Sequence, residues 1–141
     1  MKKILIINSS YYRKISINLV TKAKEVLKKA KFKVSIIEVP GVFEIPIAIR
    51  KNIKKFDGFV ALGCVIKGQT PHFDLICSST FNAILELSIT YNKPIGNGII
   101  TALNLNQAHQ RSKRFNNKKP NKGAESAKAV ISIIKNGIKK I

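Results

Sequence analysis

Acidic side chains are scarce in this sequence: seven Asp and Glu stand against 26 Lys and Arg, a formal charge of +19 over 141 residues. Arginine is scarce too, since four of those cations are Arg and 22 are Lys. Direct base readout and bidentate phosphate recognition favour Arg. The lysines are spread over most segments, so the charge reads as a solvated lysine-rich surface rather than a specific nucleic-acid face. Cysteine is limited to Cys64, in an apolar strand-like run, and Cys77, in a helical pattern. No CxxC or His/Cys cluster accompanies them, which argues against a metal site and leaves two reduced, buried thiols as the expectation. No apolar run approaches the roughly 18 residues of a membrane span, and MKKILIINSS holds too short an apolar stretch for a secretory signal; a cytoplasmic protein is expected. Internal repeats and linkers are missing as well. A chain that is 45% hydrophobic can bury a sizeable core at this length, so one domain over residues 1–141 is expected.

What is present alternates between short apolar runs and amphipathic stretches. Lys3 to Asn8 (KILIIN) suits a buried parallel strand ending in polar Asn8, Ser9 and Ser10. Ile15, Leu19, Ala23, Val26, Leu27 and Ala30 recur at helical spacing with Lys on the opposite face. Phe32 to Val39 reads as a second strand, stopped by Pro40-Gly41 before one helical stretch from Phe43 to about Lys55, with Pro46 in its first turn. Gly58 to Ile66 (GFVALGCVI) is the most continuous apolar segment and the candidate central strand. The spacing predicts a third helix from Phe73 to Tyr91, its stripe carrying Phe73, Ile76, Cys77, Ala83, Ile84, Leu87 and Tyr91. Pro94 to Ala102 supplies a fourth strand and Asn106 to Arg111 a short helix. The last helix carries Ala124, Ala127, Ile131, Ile134, Ile138 and Ile141. Strands alternating with helices predict βαβ units, hence an α/β fold in three layers with four parallel strands covered by helices on both faces.

In such sheets ligands bind beyond the carboxyl ends of the strands. The loops Ser9 to Tyr12, Pro40 to Glu44 and Lys67 to His72 all leave predicted carboxyl ends, so they are expected to line one crevice. Within GCVIKGQTPHFD (63–74), Thr70 can cap free backbone N–H groups, Pro71 suits the first helical position, and Gly68 lets the backbone approach a ligand. A helix start of this kind offers unpaired N–H donors and a positive dipole end, a ready anion site. That field disfavours a positive charge on His72 and favours an imidazole able to accept a proton. The residues alone leave two readings open: a phosphate-binding, proton-transferring loop, or a plain helix start with a surface histidine.

Three segments, PGVFEIP (40–46), GCVIKGQTPHFD (63–74) and NKGAESA (121–127), in this order and at these separations, resemble the 6,7-dimethyl-8-ribityllumazine synthase family. The likeness covers nearly the whole chain. It implies a flavodoxin-like sheet and the penultimate step of riboflavin biosynthesis. That step condenses 5-amino-6-(D-ribitylamino)uracil with 3,4-dihydroxy-2-butanone 4-phosphate, releases phosphate and water, and uses neither metal nor organic cofactor. The resemblance further implies that Tyr11 stacks on the pyrimidine, and that Val42, Phe43 and Glu44 hold the pyrimidine and ribityl chain. Backbone groups around Cys64, Val65 and Ile66 would fix the ring edge, with Asn97 at a ring-contact position. Gln69 and Thr70 would cradle the phosphate, and the planar fork of Arg111 would clamp it. His72 would take protons from the attacking 5-amino group and move a proton from carbon as phosphate leaves. Lys122 and Glu125 would support the phosphate and the histidine respectively. His109 matches no family role and is expected on a helix surface.

Family sites lie between subunits, so a homo-oligomer is implied, a pentamer or a multiple of one. Arg111 and the end of the fourth strand would then reach a neighbour's site. The chain starts almost directly at strand one, without the longer extension that many relatives carry, which leaves pentamer, paired pentamers and closed shell all open. It departs from the family pattern at Asn97, where some relatives carry an aromatic, at Ser10, where many carry Arg, and over Ser112 to Pro120, a few residues longer than usual. Five lysines or arginines from Ser112 through Lys122 are placed to attract a doubly charged substrate. Two other functions compete. One is an archaeal-type riboflavin synthase of the same superfamily, against which the TPHFD run argues; the other is a basic nucleic-acid-binding protein, which rests on the charge alone.

Overall fold

A computed structural model describes residues 1–115 and 120–135 of the chain. The apolar runs become four strands, β1 (Lys3–Ser9), β2 (Lys33–Val39), β3 (Gly58–Ile66) and β4 (Ile95–Ala102). They form one parallel sheet in the order β2-β1-β3-β4. The two central strands are also the most apolar: Ile4 to Ile7 and Phe59 to Leu62 are at most 1% exposed. Burying each large side chain among them contributes about 1.5–3 kcal/mol, so the centre of the sheet is its firmest part. At one edge, β2 is only half-buried along its length.

Side chains alternate across the sheet, and each face of β1 and β3 meets its own helices. Helices α1 (Arg13–Lys29), α4 (Leu105–Ser112) and α5 (Lys122–Lys135) cover one face. There Leu19, Leu27, Ala108, Ala127 and Val130 pack with Ile4, Ile6, Val60 and Leu62. Helices α2 (Ile45–Asn52) and α3 (His72–Tyr91) cover the other, where Ile45, Ile49 and Ile84 meet Leu5, Ile7, Phe59 and Ala61. The expected three-layer α/β arrangement with four parallel strands is therefore present. No helix among the described residues is long and apolar enough to cross a membrane.

Some elements differ from the sequence reading. Instead of one helix from Phe43 to Lys55, a 3₁₀ turn (Val42–Glu44) leads into the shorter α2. Pro46 stands in the first turn of α2 and has no N–H with which to extend an earlier helical ladder. The chain enters instead through a tight turn in which the Glu44 N–H donates to the Gly41 carbonyl at 3.2 Å. Helix α3 begins at His72, which leaves Pro71 in the preceding cap position rather than the first helical one. On α3, Ile84 is buried, but Phe73, Ile76, Cys77, Ala83, Leu87 and Tyr91 are half-buried. Leu75, Leu85 and Ile89 are 65%, 60% and 72% exposed. Helical periodicity marks apolar positions but cannot say how many of them the chain's own sheet covers. Helix α5 opens at Lys122 and carries Ala124, Ala127, Ile131 and Ile134; Ile138 and Ile141 lie outside the described residues.

The strand order reverses at β1, with β2 on one side and β3 on the other. The chain leaving β1 turns onto one face as α1, and the chain leaving β3 turns onto the other as α3. The two loops part, and a crevice opens beyond the carboxyl ends of the strands.

Candidate active site

A cavity of about 470 Å³ occupies that crevice. Cys64, Val65 and Ile66 at the end of β3 form its floor. Tyr11 and Tyr12 come from the loop after β1, Val42 and Phe43 from the 3₁₀ turn, and Gly68, Thr70 and His72 from the loop after β3 and the start of α3. Phe73 and Ile76 from the first turns of α3 complete the wall. The three loops that the strand pattern led one to expect together do converge.

Each wall is built as an anchor and a presented side chain. Val42 is 6% exposed in the core, while its neighbour Phe43 is 62% exposed and faces the cavity. Tyr12 stands at the start of α1, where its carbonyl accepts the Ser16 N–H at 2.9 Å, and its ring packs on the core. Tyr11, three-quarters exposed at 75%, rests edge-on against that ring, with centroids 5.0 Å apart and planes at 74°. A fixed aromatic thus supports an accessible one. Burial pushes the Cys64 thiol up to about 12. Burial, with smaller effects of Cys64 and Tyr11, raises the Tyr12 hydroxyl above the usual phenol range. Both groups are therefore neutral at ordinary pH and place no negative charge beside an anionic ligand.

Opposite the aromatics, the twenty-residue helix α3 presents its amino end to the cavity. Thr70 Oγ1 accepts the His72 N–H at 3.4 Å, and the Pro71 carbonyl accepts the Leu75 N–H at 3.2 Å. Because Pro71 lacks an N–H and Thr70 takes the His72 N–H, the free donors of the first turn begin at Phe73. The end of such a helix carries about half a positive charge, which favours an anion there.

Other residues singled out from the sequence stand away from this wall. Gln69 is exposed in the loop between Gly68 and Thr70. Glu44 lines an adjoining cavity of about 370 Å³ that shares Phe43 and reaches Thr80 on α3. Asn97 lies on β4 opposite Ala61, where its Oδ1 accepts the Ile99 N–H at 3.1 Å. Arg111 is exposed in the last turn of α4, and His109 is half-buried beside it. At the start of α5, Lys122 Nζ lies 3.5 Å from Glu125 Oε1, so Glu125 is paired with Lys122 within the chain. The sequence places Tyr12 at the crevice only as the end of its loop, with no role of its own, and does not assign Phe73 or Ile76 to the site. Tyr12 follows Tyr11 directly and reads as its redundant neighbour, and the other two read as core positions of the α3 stripe. Among the described residues, no group of three or more His, Cys, Asp or Glu side chains could hold a metal ion.

Residues 1–136 match the profile of 6,7-dimethyl-8-ribityllumazine synthase. The chain belongs to this family. It is 42% identical over 135 residues to the 6,7-dimethyl-8-ribityllumazine synthase of Bartonella henselae, an alignment covering 93% of this chain and 85% of that protein. With the enzyme of the same name from Bartonella tribocorum it shares 39% over 135 residues, covering 94% and 89%. The Novosphingobium aromaticivorans enzyme is 38% identical over 136 residues, covering 95% of each chain. Membership in the lumazine synthase family does not favour the archaeal-type riboflavin synthase or the nucleic-acid-binding alternative. It also gives the lumazine synthase fold as the frame in which the crevice between β1 and β3 is to be understood.

Proposed function

We propose that this chain, acting as one lumazine-synthase-like domain, condenses 5-amino-6-(D-ribitylamino)uracil with 3,4-dihydroxy-2-butanone 4-phosphate, releasing phosphate and water. One observation carries the reading: a single cavity gathers an accessible aromatic, Tyr11, an apolar floor at Cys64 to Ile66, and a helix start at Thr70 to His72. A flat pyrimidine suits the first two, and a phosphate suits the third. In this reading the pyrimidine stacks on Tyr11, between Phe43 and the end of β3. Val42 holds Phe43 in place, and Glu44 accepts ribityl hydroxyls from the adjoining cavity. The backbone at Gln69 and Thr70 cradles the phosphate.

His72 lies at the rim between the two subsites. As the 5-amino nitrogen forms its bond to the ketone carbon, it must shed protons, and the ketone oxygen must gain them to leave as water. Loss of phosphate likewise requires a proton to leave carbon. The imidazole at this rim accepts and returns such protons. Arg111 and the end of β4 act on a neighbouring subunit's site, Asn97 contacts the ring, and Lys122 and Glu125 support the phosphate and the histidine. Two features favour that arrangement. Arg111 is exposed and off its own chain's cavity wall, and Leu75, Leu85 and Ile89 leave an apolar face on α3 uncovered. A pentamer, or a multiple of one, in the cytoplasm is the proposed working form.

Purified protein given both substrates should form the fluorescent lumazine; no product with both present overturns the reading. Feeding lumazine alone separates a riboflavin synthase, which would consume it. Light scattering should give a mass that is a multiple of five 15.7 kDa chains, and a monomer at working concentration would refute the shared site.

A further inference from the structure

The motif NKGAESA supplied Lys122 and Glu125 to the reading above and left Asn121 without a role. Asn121 is 6% exposed. Its Nδ2 donates to the Ser112 carbonyl at 2.9 Å, to the Lys113 carbonyl at 3.2 Å and, more weakly, to the Asn18 carbonyl at 3.5 Å. Its Oδ1 accepts the Ala124 N–H at 3.1 Å, which caps the first turn of α5. The partners fix the amide's orientation, because carbonyls can meet only the NH₂ end and an N–H only the oxygen.

This side chain does more than cap a helix. Ser112 and Lys113 close α4, whose last carbonyls have no partner within the helix. Asn121 supplies their donor and so ties the end of α4 to the start of α5. Ser112 is itself 1% exposed, and a Cβ on Gly123 would run into the Leu19 carbonyl of α1, so the junction has no room to slide. Arg114 Nε adds a second tie to Asn18 Oδ1 at 3.0 Å. Both flanks of residues 116–119 are thereby held, and the spacing of α4 and α5 is set by the junction instead of by the length of chain between them.

Arg111 directly precedes Ser112, and Lys122 directly follows Asn121. We propose that Asn121 is the positioning residue of the phosphate arm: its amide fixes where Arg111 and Lys122 stand relative to each other. The proposal rests on the reading that Arg111 binds the butanone phosphate. A fork-shaped cation clamps a phosphate well only when its backbone is held.

The test separates the two functions of the amide. Asn121→Asp keeps an oxygen to cap Ala124 but replaces the NH₂ donor with a second acceptor facing the Ser112 and Lys113 carbonyls. Its KM for the butanone phosphate should rise about tenfold, with the KM for the pyrimidine little changed. Combined with Arg111→Ala, it should add nothing to the loss from Arg111→Ala alone. Asn121→Ser, a shorter cap without the tether, should behave in the same way and serves if the aspartate variant does not fold. A normal phosphate KM in a folded Asn121 variant, when Arg111→Ala raises it, makes Asn121 a helix cap only and overturns the inference while the active-site reading stands. An equal rise for both substrates, or failure of both variants to fold, also overturns it. If Arg111→Ala leaves the phosphate KM unchanged, the reading of Arg111 fails and this inference falls with it.

Discussion

Gly63 and Val42 meet where a methyl group does not fit: a Cβ on Gly63 would stand 2.8 Å from Val42 Cγ1 and 2.9 Å from Ser9 Cβ. The missing side chain lets the 3₁₀ turn settle on the end of β3 and turns Phe43 toward the cavity. Gly63→Ala must push Val42 outward or bend β3. We expect a loss of about 1–3 kcal/mol in stability, measured by urea unfolding, together with weaker pyrimidine binding in a fluorescence titration. Unchanged pyrimidine affinity in the destabilised variant would detach the turn from substrate binding.

Replacing His72 with Ala should lower kcat by about 10²-fold or more while light scattering shows the assembly unchanged. The residue is exposed at the start of α3, so its removal leaves no buried cavity. Turnover equal to that of the parent enzyme would take His72 out of the chemistry.

In a chain with 22 lysines, Arg111→Lys asks whether the arm works by charge or by shape. The substitution keeps the cation and removes the planar fork. We expect the KM for the butanone phosphate to rise nearly as far as in Arg111→Ala. Full activity in the lysine variant would make the local positive field, and not the bidentate clamp, the operative feature.

Burial lifts the Cys64 thiol from 9.0 to about 12, and this makes stability depend on pH. Between those values the unfolded chain has lost the proton and the folded chain keeps it. The folded state therefore binds more protons, and stability falls as pH rises through the window. The contribution is intact below pH 9.0 and gone above about 12. Thermal melting of Cys64→Ala should show a shallower alkaline decline than the parent chain; parallel curves would mean that the thiol ionises no differently in the two states.

The sheet was legible because its signals are local. KILIIN and GFVALGCVI are continuous apolar runs that only a doubly covered strand can bury, and Pro40-Gly41 and Thr70-Pro71 mark where the chain must turn. The crevice followed from the alternation of strands and helices, since all the loops at one end of a parallel sheet share that end. Pairings between residues distant in sequence were not legible. Nothing near Asn121 announces Ser112 or Asn18 as its partners, and a Lys-Gly after an Asn reads as an ordinary helix start. The exposed face of α3 was not read for a related reason: Leu75, Leu85 and Ile89 lie off the predicted stripe yet are as apolar as core residues, and sequence alone does not say whose core they join.

The central position of β1 and β3 bears on the order in which the molecule opens. Amide exchange begins at edges and tips and reaches last those strands that are paired on both sides and fully covered. Ile4 to Ile7 and Phe59 to Leu62, just behind the floor, belong to that last group; the floor residues Cys64 to Ile66 pair with β4 alone, and Tyr11, Phe43 and the stretch from Lys67 to His72 are exposed at the rim. Deuterium should therefore enter the rim within a single breathing motion, the floor next, and the strand centres behind it only when the whole chain unfolds. A substrate arriving here meets a compliant lip whose bed is anchored in the part of the sheet that opens last.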